Sequence, residues 1–588
     1  METRRLDSSF PSEMLGMIFG HRHEDIFYAQ MEPACSEFRG YKDYQCLRDL
    51  FDLTHVCSRW REIALANPAL WATISLSWPM ETIEMFIERA KAVGLRFFLN
   101  LFSGPRPRPN ANNMTTDELE TRGALISRHV PRIHEIYLHD RRELDHIGIG
   151  VVSLPISDLS SLYLPIVNSE APTLKKVTIM SDRRSSSPID DNKIQQLFLR
   201  HAPNLTHVRL KGVHIKLYDA PFTALTTLHL STRGREEILY ALKDIPVILA
   251  QFPSLEELHL THPYALHPLD SVMFDDQSTY THIVLPYCKV LQFSGMHTSQ
   301  MLYLLENIKA PSLQSLRMLP ADYIHMHPEE SLLPNFPSWL HGFLRDVPSL
   351  DIAFQAGRVY LEFEFERDEV PCNWKFQLRK FPDVQDLNLW LTKFKGNLDI
   401  LNPEELHVTQ GPLWGSGEYW EPSLSVWRGI LETLTRLRVV TAGLDNWMNN
   451  FFLALGDEDG FCPSLEEIEI HGAQFDGDSV RRMLMRRQGN GQRLKKLVLD
   501  IEPRRFRPKK NSDNHLLDEL GDQCYQDPLE LVDEFVGDTR FFYGVVSPPP
   551  KVAKEFSPEM LRLMSSPGMV AQMFENLASV QQDDNVAL

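Results

Sequence analysis

Cysteine is scarce in this 588-residue chain: Cys35, Cys46, Cys57, Cys288, Cys372, Cys462 and Cys524 are odd in number, scattered and never spaced as Cys-x-x-Cys. They offer neither a disulfide framework nor a thiolate metal finger, and they read as reduced, mostly buried thiols of an intracellular protein. Long apolar runs are missing too. Nothing approaches the roughly eighteen residues of a membrane-spanning helix, so no membrane is expected. The opening residues METRRLDSSFPSE lack the apolar core of a secretory signal. The expected location is therefore cytoplasm, nucleus or both, and Asn113-Met-Thr and Asn204-Leu-Thr match the glycosylation sequon by chance.

Positive charge is in deficit, with 60 Lys and Arg against 79 Asp and Glu and a net charge of −19. A general nucleic-acid binder needs a basic face, so nucleic acid is not an expected partner. Nucleotide and acyl-transfer signatures are lacking as well. No P-loop, no GxGxxG opening a helix and no GxSxG is present, and the GSG at 415–417 stands alone. His21-Arg-His23 and His325-Met-His327 have no third and fourth ligand at zinc spacing. No cofactor, metal or catalytic residue is expected, and the chain reads as a binding protein, not an enzyme. A metal-dependent enzyme carrying a repeat domain is the remote alternative.

What the chain has is a recurring phrase. APTLKKVTI (171–179), APNLTHVRL (202–210), FTALTTLHL (222–230) and FPSLEELHL (252–260) are followed by APSLQSLRM (310–318), FPDVQDLNL (381–389), CPSLEEIEI (462–470) and GQRLKKLVL (491–499). Weaker copies fall at 130–138, 287–293, 347–354 and 434–440. The first Leu positions, Leu174, Leu205, Leu225 and Leu255, lie 31, 20 and 30 residues apart.

In L-x-x-L-x-L the last two apolar positions share one face of a strand, and the first closes the preceding turn onto the same core. Between copies the i, i+3, i+4 spacing predicts helices: Ile194, Leu197, Phe198; Ile238, Leu239, Leu242; Met301, Leu302, Leu305, Ile308. Trp339, Leu340, Phe343, Leu344; Val426, Trp427, Ile430, Leu431; and Val480, Met483, Leu484 continue the pattern. Proline is expected to stop each helix and start the strand. Such units bury their apolar faces only by stacking, which predicts an α/β solenoid over 129–500. The other reading is a large α/β domain whose Pro-x-Leu turns recur without stacking.

The residue between the last two apolar positions points away from the core. In order it is Thr178, Arg209, His229, His259, Gln292, Arg317, Asn388, Glu469 and Val498, with His207 beside Arg209. His207, Arg209, His229, His259 and Arg317 form a basic stripe on an acidic protein, which would concentrate an acidic or phosphorylated partner segment.

Near the N-terminus, SSFPSEMLGMIF (8–19) places Met14, Leu15, Ile18 and Phe19 on one helical face, with Pro11 and Glu13 in the first turn. Along 47–66, Leu50, Leu53, Cys57, Trp60 and Ala64 recur at 3, 4, 3, 4, predicting one amphipathic helix that Asn67-Pro68 ends. TISLSW then alternates as a strand does. Two short helices hold too little core to stand alone, so their surplus apolar surface is expected to meet a partner as well as the next domain.

These residues resemble an F-box. The family pattern runs LP-x-E-[IL]-L-x-x-IF, L-x-x-V-C-[RK]-x-W and P-x-LW; here Phe10 replaces the leading Leu and Ser58 a basic residue, with Arg59 following. The repeat stretch resembles irregular leucine-rich repeats without their usual Asn or Cys. The combination is similar to the large F-box families of mushroom-forming fungi. The resemblance implies the substrate-recognition subunit of a cullin–RING (SCF-type) ubiquitin ligase, docked on a Skp-type adaptor and holding a protein substrate on its repeats for ubiquitin-dependent degradation. By residue matching, Phe10, Pro11, Leu15, Ile18, Phe19, Leu50, Val56, Cys57 and Trp60 are its adaptor-binding residues, and Trp71 locks the unit onto the repeats. The alternative is a non-catalytic scaffold whose F-box serves no ubiquitination.

The expected organisation is an F-box over 8–75 with a long insertion at 20–46, then a connector over 76–128 that includes a loop at 101–118. That connector also holds the first repeat region, and the solenoid proper comes next, over 129–500. A basic linker and an acidic cap or partly disordered tail, with helix-like pieces at Leu529, Leu531, Val532 and Phe535, fill 501–588.

Overall fold

The computed structural model describes residues 11–31, 45–101, 114–140, 159–181, 195–196, 202–213, 215–217, 222–231, 244–261, 282–296, 298–319, 338–345, 347–355, 358–367, 370–377, 388, 391–392, 395, 401–410, 422–444, 448–457, 460–471, 477–500 and 532–537. All belong to one compact unit, Met1–Gly537. The architecture is mixed α/β, with twelve α-helices among the described residues and a large, mostly parallel sheet. No helix among them is long and apolar enough to cross a membrane.

Three helices lead: α1 (Ser12–Met31), α2 (Gln45–Val56) and α3 (Ser58–Ala66). The sheet begins with β1 (Thr73–Ser75), β2 (Leu95–Leu101), β3 (Ile133–Asp140) and β4 (Lys176–Ser181). β5 (Gln195–Gln196) and β7 (Ile215–Lys216) pair only with each other, while β6 (His207–Lys211), β8 (Thr227–Ser231) and β9 (Glu257–Thr261) extend the sheet. β10 (Ile283–Val284) and β12 (Ile308–Lys309) form a second small ribbon, and β11 (Val290–Ser294) and β13 (Ser315–Leu319) continue. β14 (Ser349–Gln355), β15 (Arg358–Arg367) and β16 (Val370–Gln377) are an antiparallel meander inserted in reverse, β16 beside β13 and β14 beside β17 (Glu405–Gln410). β18 (Val439–Leu444), β19 (Glu467–His471), β20 (Leu494–Asp500) and β21 (Val532–Gly537) complete it in chain order.

The recurring phrase does the same job at each copy. The N–H groups of Leu174, Leu205, Leu255 and Leu313 donate to the carbonyls of Ala171, Ala202, Phe252 and Ala310 at 3.1–3.2 Å. Proline occupies the second position of each of these turns, where its fixed φ fits. It therefore opens a turn, and the strand starts two residues after the Leu. All four Leu are buried, and so are the residues that accept from them. Register then stacks like on like: Val177, Val208, Leu228, Leu258, Leu291 and Leu316 are successive partners across parallel strands, all buried. The helices 298–307, 424–433 and 477–489 bury Met301, Leu302 and Leu305, then Val426, Trp427, Ile430 and Leu431, then Val480, Met483 and Leu484, on the predicted faces.

Several expectations are corrected. The helix expected over 47–66 breaks at Cys57, whose backbone is extended (φ −159, ψ 169) and whose thiol caps α3 by accepting from Trp60 N–H. The first helix runs on through Met31, so the insertion does not begin at residue 20. The stretch 101–118 is not all loop: Thr115 and Glu118 form a reciprocal capping box that starts α5 (Thr116–His129). The strand expected at TISLSW is present over Thr73–Ser75, and the sheet continues through the first repeat region with Leu95–Leu101. Gln195–Gln196 is strand where a helix was expected. Asn388 lies in helical backbone, its carbonyl accepting from Thr392 Oγ1 at 2.9 Å, so FPDVQDLNL does not end as a strand there. Val532 and Phe535 belong to a strand, not a helix. Ile194, Leu197, Phe198, Ile238, Leu239 and Leu242 lie outside the described residues.

Candidate functional site

Two surfaces collect the residues that the sequence singles out. The first is the N-terminal helical unit. Leu15 and Phe19 of α1, Leu50 of α2 and Ala64 of α3 fill its interior. The Phe19 ring lies 4.9 Å from that of Trp60, and the Asn67 amide donates to Gly16 O at 3.4 Å. Arg61 Nε donates to Thr54 O at 2.9 Å and ties α3 back to α2.

With so small an interior, other apolar side chains are left outside. Met17 is 59% exposed, Ile18 49% and Val56 55%, and Met14 and Phe51 are exposed as well. Met14, Met17 and Ile18 stand at i, i+3, i+4 and form one stripe on α1. Of the expected adaptor-binding residues, Pro11, Ile18 and Val56 are exposed, and Cys57 and Trp60 are half-buried. Leu15, Phe19 and Leu50 are instead interior, because three short helices need them to cohere. Phe10 lies outside the described residues. Met14, Met17 and Phe51 are exposed too and were not among the expected residues, although Met14 was on the predicted apolar face.

Trp71 joins this unit to the sheet. It is buried, its indole N–H donates to Ala64 O at 2.9 Å, and its ring meets Phe86 at 5.0 Å, edge-on. Phe86 belongs to α4 (Met80–Arg89), the helix between β1 and β2, whose Arg89 guanidinium sits 4.3 Å over the indole. Arg122 of α5, also buried, donates to the carbonyls of Leu76 and Trp78.

The second surface is the outward row of the sheet. Thr178, Arg209, His229, His259, Gln292 and Arg317 are register partners on six adjacent strands, and Lys375 of β16 follows. His207 stands one row away, between Lys176 and Thr227. Beyond Lys375 the row passes through Glu362, Asp351, His407, Thr441, Glu469 and Val498. It is thus basic in its first half and acidic in its second. Lys375 pairs with Glu362 at 2.7 Å where the halves meet.

The histidines do not carry the charge expected of them. Burial, with His259 and Arg209 alongside, pushes His229 down to about 3. Burial takes His259 to about 4 against a Gln292 hydrogen bond acting the other way. Burial lowers His207 too. All three are neutral at pH 7, so cationic character in this half rests on Arg209, Arg317 and Lys375.

Among the described residues, one group could hold a metal. Ligand atoms of His229, Glu257 and His259 lie within 4.8 Å of one another. Sequence reasoning missed it because Glu257 lies off the row and nearly thirty residues from His229; the signal was His at the same place in two consecutive repeats. His21 is exposed on α1, the His23 side chain is not described, and His325 and His327 lie outside the described residues. Comparison with known protein families and with curated proteins found no match.

Proposed function

We propose that this chain is the substrate-recognition subunit of a cullin–RING ubiquitin ligase, working in the cytoplasm or nucleus. The N-terminal unit is read as an F-box that docks a Skp-type adaptor, and the turn–strand–helix array as a leucine-rich-repeat-like solenoid that holds a protein substrate. The observation that carries this reading is the exposed apolar set Met14, Met17, Ile18, Phe51 and Val56 on a small helical unit whose sequence resembles an F-box. Such a set on a small unit marks an interaction surface. Trp71 supports it by coupling that unit firmly to the sheet, so a docked adaptor would hold the sheet in a defined orientation. Arg209 and Arg317 suit an acidic or phosphorylated substrate segment on the basic half of the row.

The test is to co-express the tagged full-length chain with a Skp-type adaptor and a cullin and to analyse the captured complex. Adaptor and cullin together, with ubiquitin transfer to a captured partner, are the expected result. Adaptor without transfer indicates the scaffold reading, and capture of neither overturns the proposal.

A further inference from the structure

Neighbouring strands bring His229 and His259 side by side. They are register partners on β8 and β9, with ring centroids 3.7 Å apart. Glu257 stands two residues before His259, on the same face of the same strand. Ligand atoms of all three come within 4.8 Å of one another. Tetrahedral zinc, with bonds of about 2.0–2.1 Å, holds neighbouring ligand atoms roughly 3.4 Å apart, a spacing not far from that of this set.

Two more observations point to a ligand. The Nε2 atom of His229 is buried without a hydrogen-bond partner, a cost that a bound ion removes. His259 makes a side-chain hydrogen bond with Gln292, its register partner on β11. Ligating imidazoles commonly use their second nitrogen in this way to fix the ring.

We propose that His229, His259 and Glu257 bind one divalent transition-metal ion of the zinc class on the outward face of the sheet. Two imidazoles and one carboxylate suit Zn2+, Co2+ or Ni2+ better than Mg2+ or Ca2+, which take oxygen ligands. Three protein ligands leave a fourth tetrahedral position open. Arg209 is the register partner of His229 and Arg317 that of Gln292, so cations flank the set on both sides. They oppose a bare dication, an effect that Glu257 and an anion in the open position offset. The site stands whether or not the chain docks an adaptor.

The purified full-length chain, stripped with a chelator, is titrated with Co2+, whose visible bands report its coordination. The expected result is one tightly bound four-coordinate ion per chain, displaced by Zn2+. The bands disappear in the His229→Ala, His259→Ala double variant, and affinity falls by about tenfold or more in Gln292→Ala. Glu257 is exposed, so Glu257→Gln tests the site even where the double variant misfolds; it weakens binding by at least about as much as Gln292→Ala. Absence of saturable uptake, or bands unchanged in Glu257→Gln, overturns the proposal.

Discussion

The N-terminal helical unit and the sheet treat apolar side chains in opposite ways. Along β4, Val177 and Ile179 are buried while Thr178 between them is not, and β9, β11 and β13 repeat that division. These strands pair with others within the chain, and their alternate apolar residues are covered. In α1, Leu15 and Phe19 are buried, yet Met14, Met17 and Ile18 of the same helix face solvent. Three helices of 20, 12 and 9 residues enclose too little volume to bury them all. The sheet covers most of its apolar residues from within the chain, whereas the helical unit leaves a surplus exposed, which is what the proposed docking role requires.

The comparison breaks most sharply at the joint. Trp71→Ala removes a buried indole and its hydrogen bond to Ala64, at a cost of about 3–5 kcal/mol. Limited proteolysis should then cut between Ala66 and Met80 while the strands beyond β3 keep their hydrogen-exchange protection. Unchanged cleavage would mean that Trp71 does not couple the two regions.

Within α1 the contrast can be sharpened over one turn. Leu15→Ala should destabilise the unit by about 2–5 kcal/mol, whereas Ile18→Ala stays within about 0.5 kcal/mol because it leaves no cavity. Amide exchange of α1 in both variants reads the difference; equal effects would contradict the division into interior and solvent-facing residues.

The smallest effect concerns thiols. Burial pushes Cys288 and Cys462 up to about 12, so both stay protonated and inert at pH 8. Peptide mapping after mild alkylation should find them unlabelled in the native chain and labelled in denaturant. Native labelling of either would show that the sheet opens locally.

Most of the sheet was legible in the sequence because its unit is local. A Pro-x-Leu turn and a period-2 strand fit within ten residues, and each copy repeats the message. The hairpin β15–β16 escaped because it lacks that phrase, though Val359, Leu361, Phe363 and Phe365 alternate plainly and are all buried. Asn388 shows the reverse: it stands at the strand position of the phrase yet has helical backbone, and its Oδ1 accepts from Ser423 N–H at 3.3 Å. The break at Cys57 was hidden by apolar spacing that passes straight through it, and cysteine is not among the usual capping residues. Thr115-Thr-Asp-Glu118 did carry a legible cap and was overlooked beside a Pro- and Asn-rich run. On α1, one face was legible, but how much of it three helices could bury was not. The His229–Glu257–His259 group needed the strand register, which no single copy contains.

The central claim is that the exposed apolar stripe of α1 docks a partner. The most direct measurement is the affinity of a Skp-type adaptor for the full-length chain and for its Met17→Asp, Ile18→Asp variant. Both side chains face solvent in the free protein, so the variant should fold unchanged, with α1 exchange as in the wild type. Each carboxylate would have to be desolvated on docking, at an effective cost of several kcal/mol. The account predicts that affinity falls by about a hundredfold or more. Equal affinity in a variant with normal exchange would contradict it.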